Sequence, residues 1–159
     1  MKKISAKVGD IVAIPAKNGE YFIAVILVKN PFGVAYGFFK GTSGIKPISI
    51  DLHPPVEPHP IYSGDPSMAH GRWKIIGHDE RLLSLFPADP EIYHYQHKDK
   101  PNPDIGPYGS GETASGKLRP LTKEEAEELG LASGEYRQTY LPEVLEEHLN
   151  AKLGDGKES

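Results

Sequence analysis

The stretch GDIVAIPAKNGEYFIAVILVK, residues 9–29, decides how this chain folds. It contains two runs of strand-favouring residues, 11–14 and 21–28, rich in Ile, Val, Tyr and Phe and separated by Pro15-Ala16-Lys17-Asn18-Gly19-Glu20. Asn18-Gly19 marks a hairpin turn, because both residues tolerate the positive φ that tight connections between twisted antiparallel strands require. Gly9-Asp10 marks the entry into the first strand. The second run, from Phe22 to Val28, is unbroken in apolar character, which predicts a central strand covered on both faces.

Outward from this ribbon, Asn30-Pro31-Phe32-Gly33 reads as a turn. Residues 34–40 read as a third strand, with Gly37 predicting a bulge or a sharp bend. Residues 45–50, containing Pro47, read as a short edge strand. Residues 51–66 are proline-rich and are expected to run extended across the surface, with Ile61-Tyr62 pairing briefly. Residues 71–78, GRWKIIGH, supply another strand whose Trp73 is expected in the core. Residues 79–86 form an amphipathic turn or loop, and 91–96 alternate as a final strand that would put Tyr93 and Tyr95 on one face. Consecutive antiparallel strands with short connections make a meander.

The composition then changes. Residues 97–118, HKDKPNPDIGPYGSGETASGKL, carry little apolar surface to offset ordering entropy and are expected to be a mobile loop. Two helices follow. Thr122 and Glu125 form a capping box and Gly130 ends the first helix. Pro142 opens the second, on which Leu141, Val144, Leu145, Leu149 and Leu153 recur at helical spacing, and residues 154–159 are expected to fray. The fold class is therefore α+β, mainly β: a curved antiparallel sheet, a meander resembling part of a barrel, with two short C-terminal helices. At 159 residues, one domain is expected, with a β-rich part at 4–96, the mobile loop at 97–118 and a helical part at 121–153.

The chain has no cysteine, which excludes disulfides, thiolate metal sites and cysteine nucleophiles and fits a reducing compartment. Its start, MKKISAK, is basic but lacks the apolar run of a signal peptide, and the longest apolar run falls far short of the about 20 residues of a membrane helix. A cytoplasmic protein without membrane contact is expected. A net charge of −4 and a pI near 6.0 argue against a general nucleic-acid binder and suit a basic protein partner.

Candidate chemistry is sparse. His53, His59, His94 and His97 could in principle gather around zinc, but two sit in a proline-rich extended segment and the other two would point to opposite faces of a strand. No metal and no cofactor is expected. The carboxylates Asp10, Asp51, Asp65, Asp79, Glu80, Asp89 and Glu91 could serve acid–base work only if a pocket gathered them. There is no Gly-x-Ser-x-Gly elbow and no phosphate loop, so no catalytic residue is assigned. Aromatic pairs such as Tyr36 with Phe38 could stack bases, but given the net negative charge a core face with hydroxyls at its margin is the better account of them.

GDIVAIP, followed by Glu20-Tyr21-Phe22-Ile23-Ala24-Val25 and, after a proline-rich spacer, Gly71-Arg72-Trp73-Lys74-Ile75-Ile76-Gly77, resembles the bacterial polymorphic-toxin immunity proteins of the immunity protein 26 family. The resemblance covers the first two thirds of the chain, leaving the polar segment and the helices as additions. It implies a cytoplasmic, non-catalytic inhibitor that occludes the active site of a cognate toxin's C-terminal domain, a basic nuclease being one toxin such an acidic protein would suit. On that reading the acidic and aromatic set Asp79, Glu80, Asp89, Glu91, Tyr93 and Tyr95 is the expected toxin-binding surface. The competing expectation is a small β-barrel nucleic-acid-binding module or a His-dependent hydrolase.

Overall fold

Strands β1 (Asp10–Pro15) and β2 (Tyr21–Asn30) pair antiparallel from Ile11↔Val25 to Pro15↔Tyr21, forming the hairpin around Asn18-Gly19. Gly19 adopts φ +87°, and the Asn18 side chain accepts the Glu20 N–H at 2.9 Å. The computed structural model describes residues 6–131, 133–134 and 136–152. The expected N-terminal start of the β-rich part, Leu153 and residues 154–159 lie outside them. The described chain divides into two compact units, residues 6–88 with 139–152 and residues 89–138.

The first unit is an open five-stranded antiparallel sheet in the order β4-β3-β2-β1-β5, with β3 (Gly33–Phe38), β4 (Ile61–Ser63) and β5 (Lys74–His78). It begins as the expected meander, and β5 then returns to pair with β1. The sheet does not close. Six consecutive residues of β2, from Phe22 to Leu27, are buried, as a central strand covered on both faces requires. One face carries Val12, Ile14, Phe22, Ala24, Ile26, Tyr36 and Phe38, in a single cluster with Trp73, Leu145 and Leu149. The last two belong to helix α2 (Pro142–Lys152), which covers this face.

Toward the other face packs a 3-10 helix, Glu80–Leu85, followed by Phe86. A Cβ on Gly37 would lie 2.6 Å from the Phe86 ring, so this glycine makes room for an aromatic rather than for a bulge. The bulges fall elsewhere, where Leu27 and Ile76 are passed over in the β2–β3 and β1–β5 registers. Residues 45–50 form no strand. Pro47 lacks a ladder donor, and the isolated bridges Tyr21↔Ser43 and Ser49↔Leu52 stand here in place of a ladder.

Helix α2 reaches its place through Tyr140, which bridges Ser63 in parallel at the β4 edge and donates its N–H to Tyr62 O at 3.0 Å. The Ser63 hydroxyl donates to Tyr140 O at 2.6 Å. Along the helix, the Glu146 carboxylate accepts from the Trp73 indole at 2.7 Å and from Arg72 Nε at 3.0 Å. Although sequence resemblance ends well before this helix, its leucines complete the core of the first unit.

The second unit is a three-stranded antiparallel sheet, β6 (Ile92–His94), β7 (Ser110–Glu112) and β8 (Leu118–Pro120), with helix α1 (Lys123–Leu129). The Thr122–Glu125 capping box is present and Gly130 ends α1 at φ +76°, as the sequence predicts. Residues 97–118, described by their composition as a mobile loop, contain β7 and lead into β8. Polar contacts organise them: the Gln96 amide donates to Asn102 O at 2.9 Å and Ile105 O at 2.7 Å and accepts the Asn102 N–H at 2.8 Å. Among the described residues no helix is long and apolar enough to cross a membrane.

Candidate functional site

At the entry to β1, Gly9 holds φ +92°, a conformation that penalises any side chain. A Cβ there would also stand 2.9 Å from Glu80 Cγ and 3.0 Å from His78 Cε1. Glycine thus turns the chain into the strand and leaves room for two side chains to close on the turn. The backbone locks this corner: Gly9 N–H donates to Ile26 O at 2.8 Å and Asp79 N–H to Gly9 O at 2.9 Å.

The β1–β5 register sets Asp10 opposite His78. Asp10 is buried. Its Oδ2 accepts the Lys7 N–H at 2.8 Å, and its Oδ1 lies 2.8 Å from His78 Nδ1. On the other side of the ring, His78 Nε2 lies 3.3 Å from Glu80 Oε2. The Asp10 hydrogen bond, then that of Glu80, holds the His78 pKa above its ordinary value. Both ring nitrogens thus face a carboxylate oxygen, Nδ1 that of Asp10 and Nε2 that of Glu80. The arrangement suits charge balance rather than base catalysis.

These residues line a cleft of about 750 Å³ in the first unit. Its apolar walls include Pro66, Trp73, Val8 and Ile75, the last two 37% and 42% exposed. Trp73 is fixed by its indole bond to Glu146 and by an edge-on contact with Tyr36 at 5.6 Å. Asp65, which also lines the cleft, caps the 3-10 helix Pro66–Ala69 by accepting the Ser67 N–H at 2.9 Å, and it stands 3.6 Å from Lys29 Nζ. Three carboxylates, Asp10, Asp65 and Glu80, thus face the cleft with one lysine, Lys7.

Of the six residues expected at a partner surface, Glu80 lines this cleft. Asp79 is a fastener: Arg81 Nε and the second guanidinium nitrogen each donate to its carboxylate at 3.1 Å. Arg81 above all, with help from the Ile50 backbone, holds the Asp79 pKa below the usual carboxylate range. Asp89, Glu91, Tyr93 and Tyr95 belong to the second unit. Asp89 is exposed. Glu91 accepts from Arg119 Nε at 2.8 Å, and Arg119 also reaches Glu125 at 2.9 Å. Tyr93 is 5% exposed and packs edge-on against Tyr136 at 5.5 Å, and burial, then the Glu91 charge, pushes its hydroxyl pKa well up. Tyr95 is 42% exposed and lies against His97.

The two tyrosines therefore differ in accessibility, because β6 ends at His94 and the regular alternation that would align them stops there. Both still border a hollow of about 620 Å³ in the second unit. Elsewhere, His53 packs on Phe39 and His94 Nε2 pairs with Glu112 at 2.6 Å. Among the described residues no group of three or more His, Asp or Glu side chains could hold a metal ion.

Asp10, Asp65 and His78 are among the cleft residues that sequence reasoning left out of the partner surface. The signal for two of them was the pairing of GDIV with the end of WKIIGH, which sets the first residue of one strand beside the last of the other.

A model of the family described as immunity protein 26 matches residues 7–104, a span that takes in every residue of the cleft and stops short of β7, α1 and α2. No curated protein and no solved structure matches the chain. With more than half its length so matched, this chain belongs to the immunity protein 26 family, a membership that points to a toxin-neutralising role in general.

Proposed function

We propose that this protein is a non-catalytic bacterial immunity protein that acts in the cytoplasm by binding the C-terminal domain of a cognate polymorphic toxin and occluding its active site. The observation that carries the reading is the family match over residues 7–104. The family is generally non-catalytic. Two features of the first unit support the same view. Its sheet is held on both faces, which gives the rigidity a tight inhibitor needs, and the Asp10–His78–Glu80 group has both imidazole nitrogens engaged.

Glu80 carries over from the expected surface into this proposal, with Asp89 and Tyr95 as further exposed contacts. Tyr93, Glu91 and Asp79 act instead by holding their own units in shape. A carboxylate-lined cleft also suits a basic protein better than a nucleic-acid phosphate, so the nucleic-acid module is the weaker reading.

The test is co-expression with the C-terminal domain of the toxin encoded beside this gene. The expected result is a complex that co-purifies and growth that the toxin domain alone arrests. Failure of both copurification and rescue overturns the proposal.

A further inference from the structure

We propose that the outer edge of β5 takes an extended segment of the toxin as a further strand of the sheet. The inference rests on the toxin-binding reading for its partner and on the sheet itself for the mode of contact. In the order β4-β3-β2-β1-β5 the two ends of the sheet are β4 and β5, and they are finished differently. At β4 the chain closes its own edge: Tyr140 bridges Ser63, donates its N–H to Tyr62 O and accepts the Ser63 hydroxyl, and both β4 residues are buried. At β5, Lys74, Ile75 and His78 are exposed, and the backbone of residues 74–78 bonds to no described residue beyond its ladder with β1.

The phase of that ladder is set by the Asp79 N–H, which donates to Gly9 O. By alternation Gly77 also faces β1, and His78 turns its N–H and C=O outward. Backbone groups left open along an edge are a template for another extended backbone, which supplies the complementary donors and acceptors. Both ends of β5 are fixed before a guest arrives. Trp73, just ahead of the strand, bonds Glu146 at 2.7 Å, and His78, its last residue, meets Asp10 at 2.8 Å. Little ordering cost therefore falls on this side of the contact.

The side chains select the guest. Ile75 lies opposite Val12, hence on the α2 side of the sheet, where it is 42% exposed and borders the cleft with Trp73 and Val8. A guest residue beside Ile75 falls over this cleft and is apolar. Lys74, opposite Ala13, points to the other side; its ammonium lies 6.0 Å over the Tyr21 ring and pairs with no carboxylate among the described residues. A guest residue beside Lys74 is acidic. The strand KIIGH has no acidic residue of its own, so β5 of a second copy does not supply that partner.

The experiment is hydrogen exchange of the full chain, alone and with the C-terminal domain of the toxin encoded beside this gene, read on peptides covering residues 61–63 and 74–78. Exchange in 74–78 should slow at least about tenfold in the complex, while 61–63 stays unchanged. Ile75→Asp, at an exposed position, should weaken the complex at least about tenfold by placing a charge where the apolar guest residue lies, and Lys74→Glu should weaken it severalfold. A complex that forms without slowing exchange in 74–78, or that both variants bind at full affinity, overturns the edge assignment and leaves the immunity reading standing. Slowing in 74–78 that appears with rising concentration of this chain alone also overturns it, by making a second copy the occupant. If no complex forms, the toxin-binding reading fails and the occupant named here fails with it.

Discussion

In the first unit, β2 runs ten residues with six consecutive side chains buried, while β7 of the second unit has three residues and contributes a serine, a glycine and a glutamate. The two regions show two ways of holding a sheet together. The first buries fourteen residues in one cluster that joins the sheet to Trp73, Leu145 and Leu149. The second has a cluster of four, Tyr93, Leu121, Ala126 and Leu131, and adds side-chain contacts that act on the backbone: Gln96 on the 102–106 turn, Arg119 between Glu91 and Glu125, and the Thr122 cap. Apolar burial is non-directional and scales with area, whereas these polar ties depend on geometry and on salt.

Substitutions should separate the two. Leu145→Ala removes a fully buried side chain from the first unit and should cost about 2–5 kcal/mol, read by urea unfolding. A loss below about 1 kcal/mol would mean that α2 is an accessory to that core after all. Next in size, Gly37→Ala drives a methyl group into the Phe86 ring and should cost roughly 1–3 kcal/mol, part of it recovered in the double variant with Phe86→Leu. Strict additivity of the two changes would break the claim that this glycine exists to seat that ring.

In the second unit, Arg119→Gln removes a half-exposed guanidinium whose pKa is raised first by Glu125 and then by Glu91, yet solvent screening limits the loss to roughly 1 kcal/mol or less. That loss should shrink in 1 M salt, where the Debye length is about 3 Å. A cost equal to that of Leu145→Ala would erase the contrast between the units.

The smallest effect concerns pH. Because the folded state raises the His78 pKa above its ordinary 6.5, its contribution to stability is fully present below that value and is lost as pH rises through the raised one. Wild type and His78→Gln should therefore differ in melting temperature at pH 5 and converge toward pH 9. Parallel curves over that range would show that the Asp10–His78–Glu80 contact adds nothing to the fold.

Much of this molecule was legible along the chain. Asn18-Gly19 marked the hairpin, the unbroken 22–28 run marked a strand covered on both faces, Trp73 was placed in the core, and Thr122, Glu125 and Gly130 bounded α1. Each of these signals acts between residues close in sequence or follows from the bulk character of a single run. The misreadings share a different origin. Gly37 looked like a bend because its true neighbour, Phe86, is 49 positions away in number and adjacent in space. Residues 97–118 gave no sign of strand β7, because hydropathy does not register a Gln96 side chain that closes a turn on its own backbone.

The candidate site was less legible still. Seven carboxylates were open to acid–base or partner roles, and nothing in their spacing chose Asp10 and Glu80 as the two that flank an imidazole. Strand pairing chose them. The sequence by itself determined the periodicities, the turns, the caps and the family resemblance, since these are fixed by local backbone preference and by residue type. Tertiary structure alone decided that β5 returns to β1, that α2 completes a core begun more than a hundred residues earlier, and that a cleft opens where Asp10 meets His78. Those outcomes follow from burying apolar faces over the whole chain at once, and faces find their partners in space rather than along the sequence.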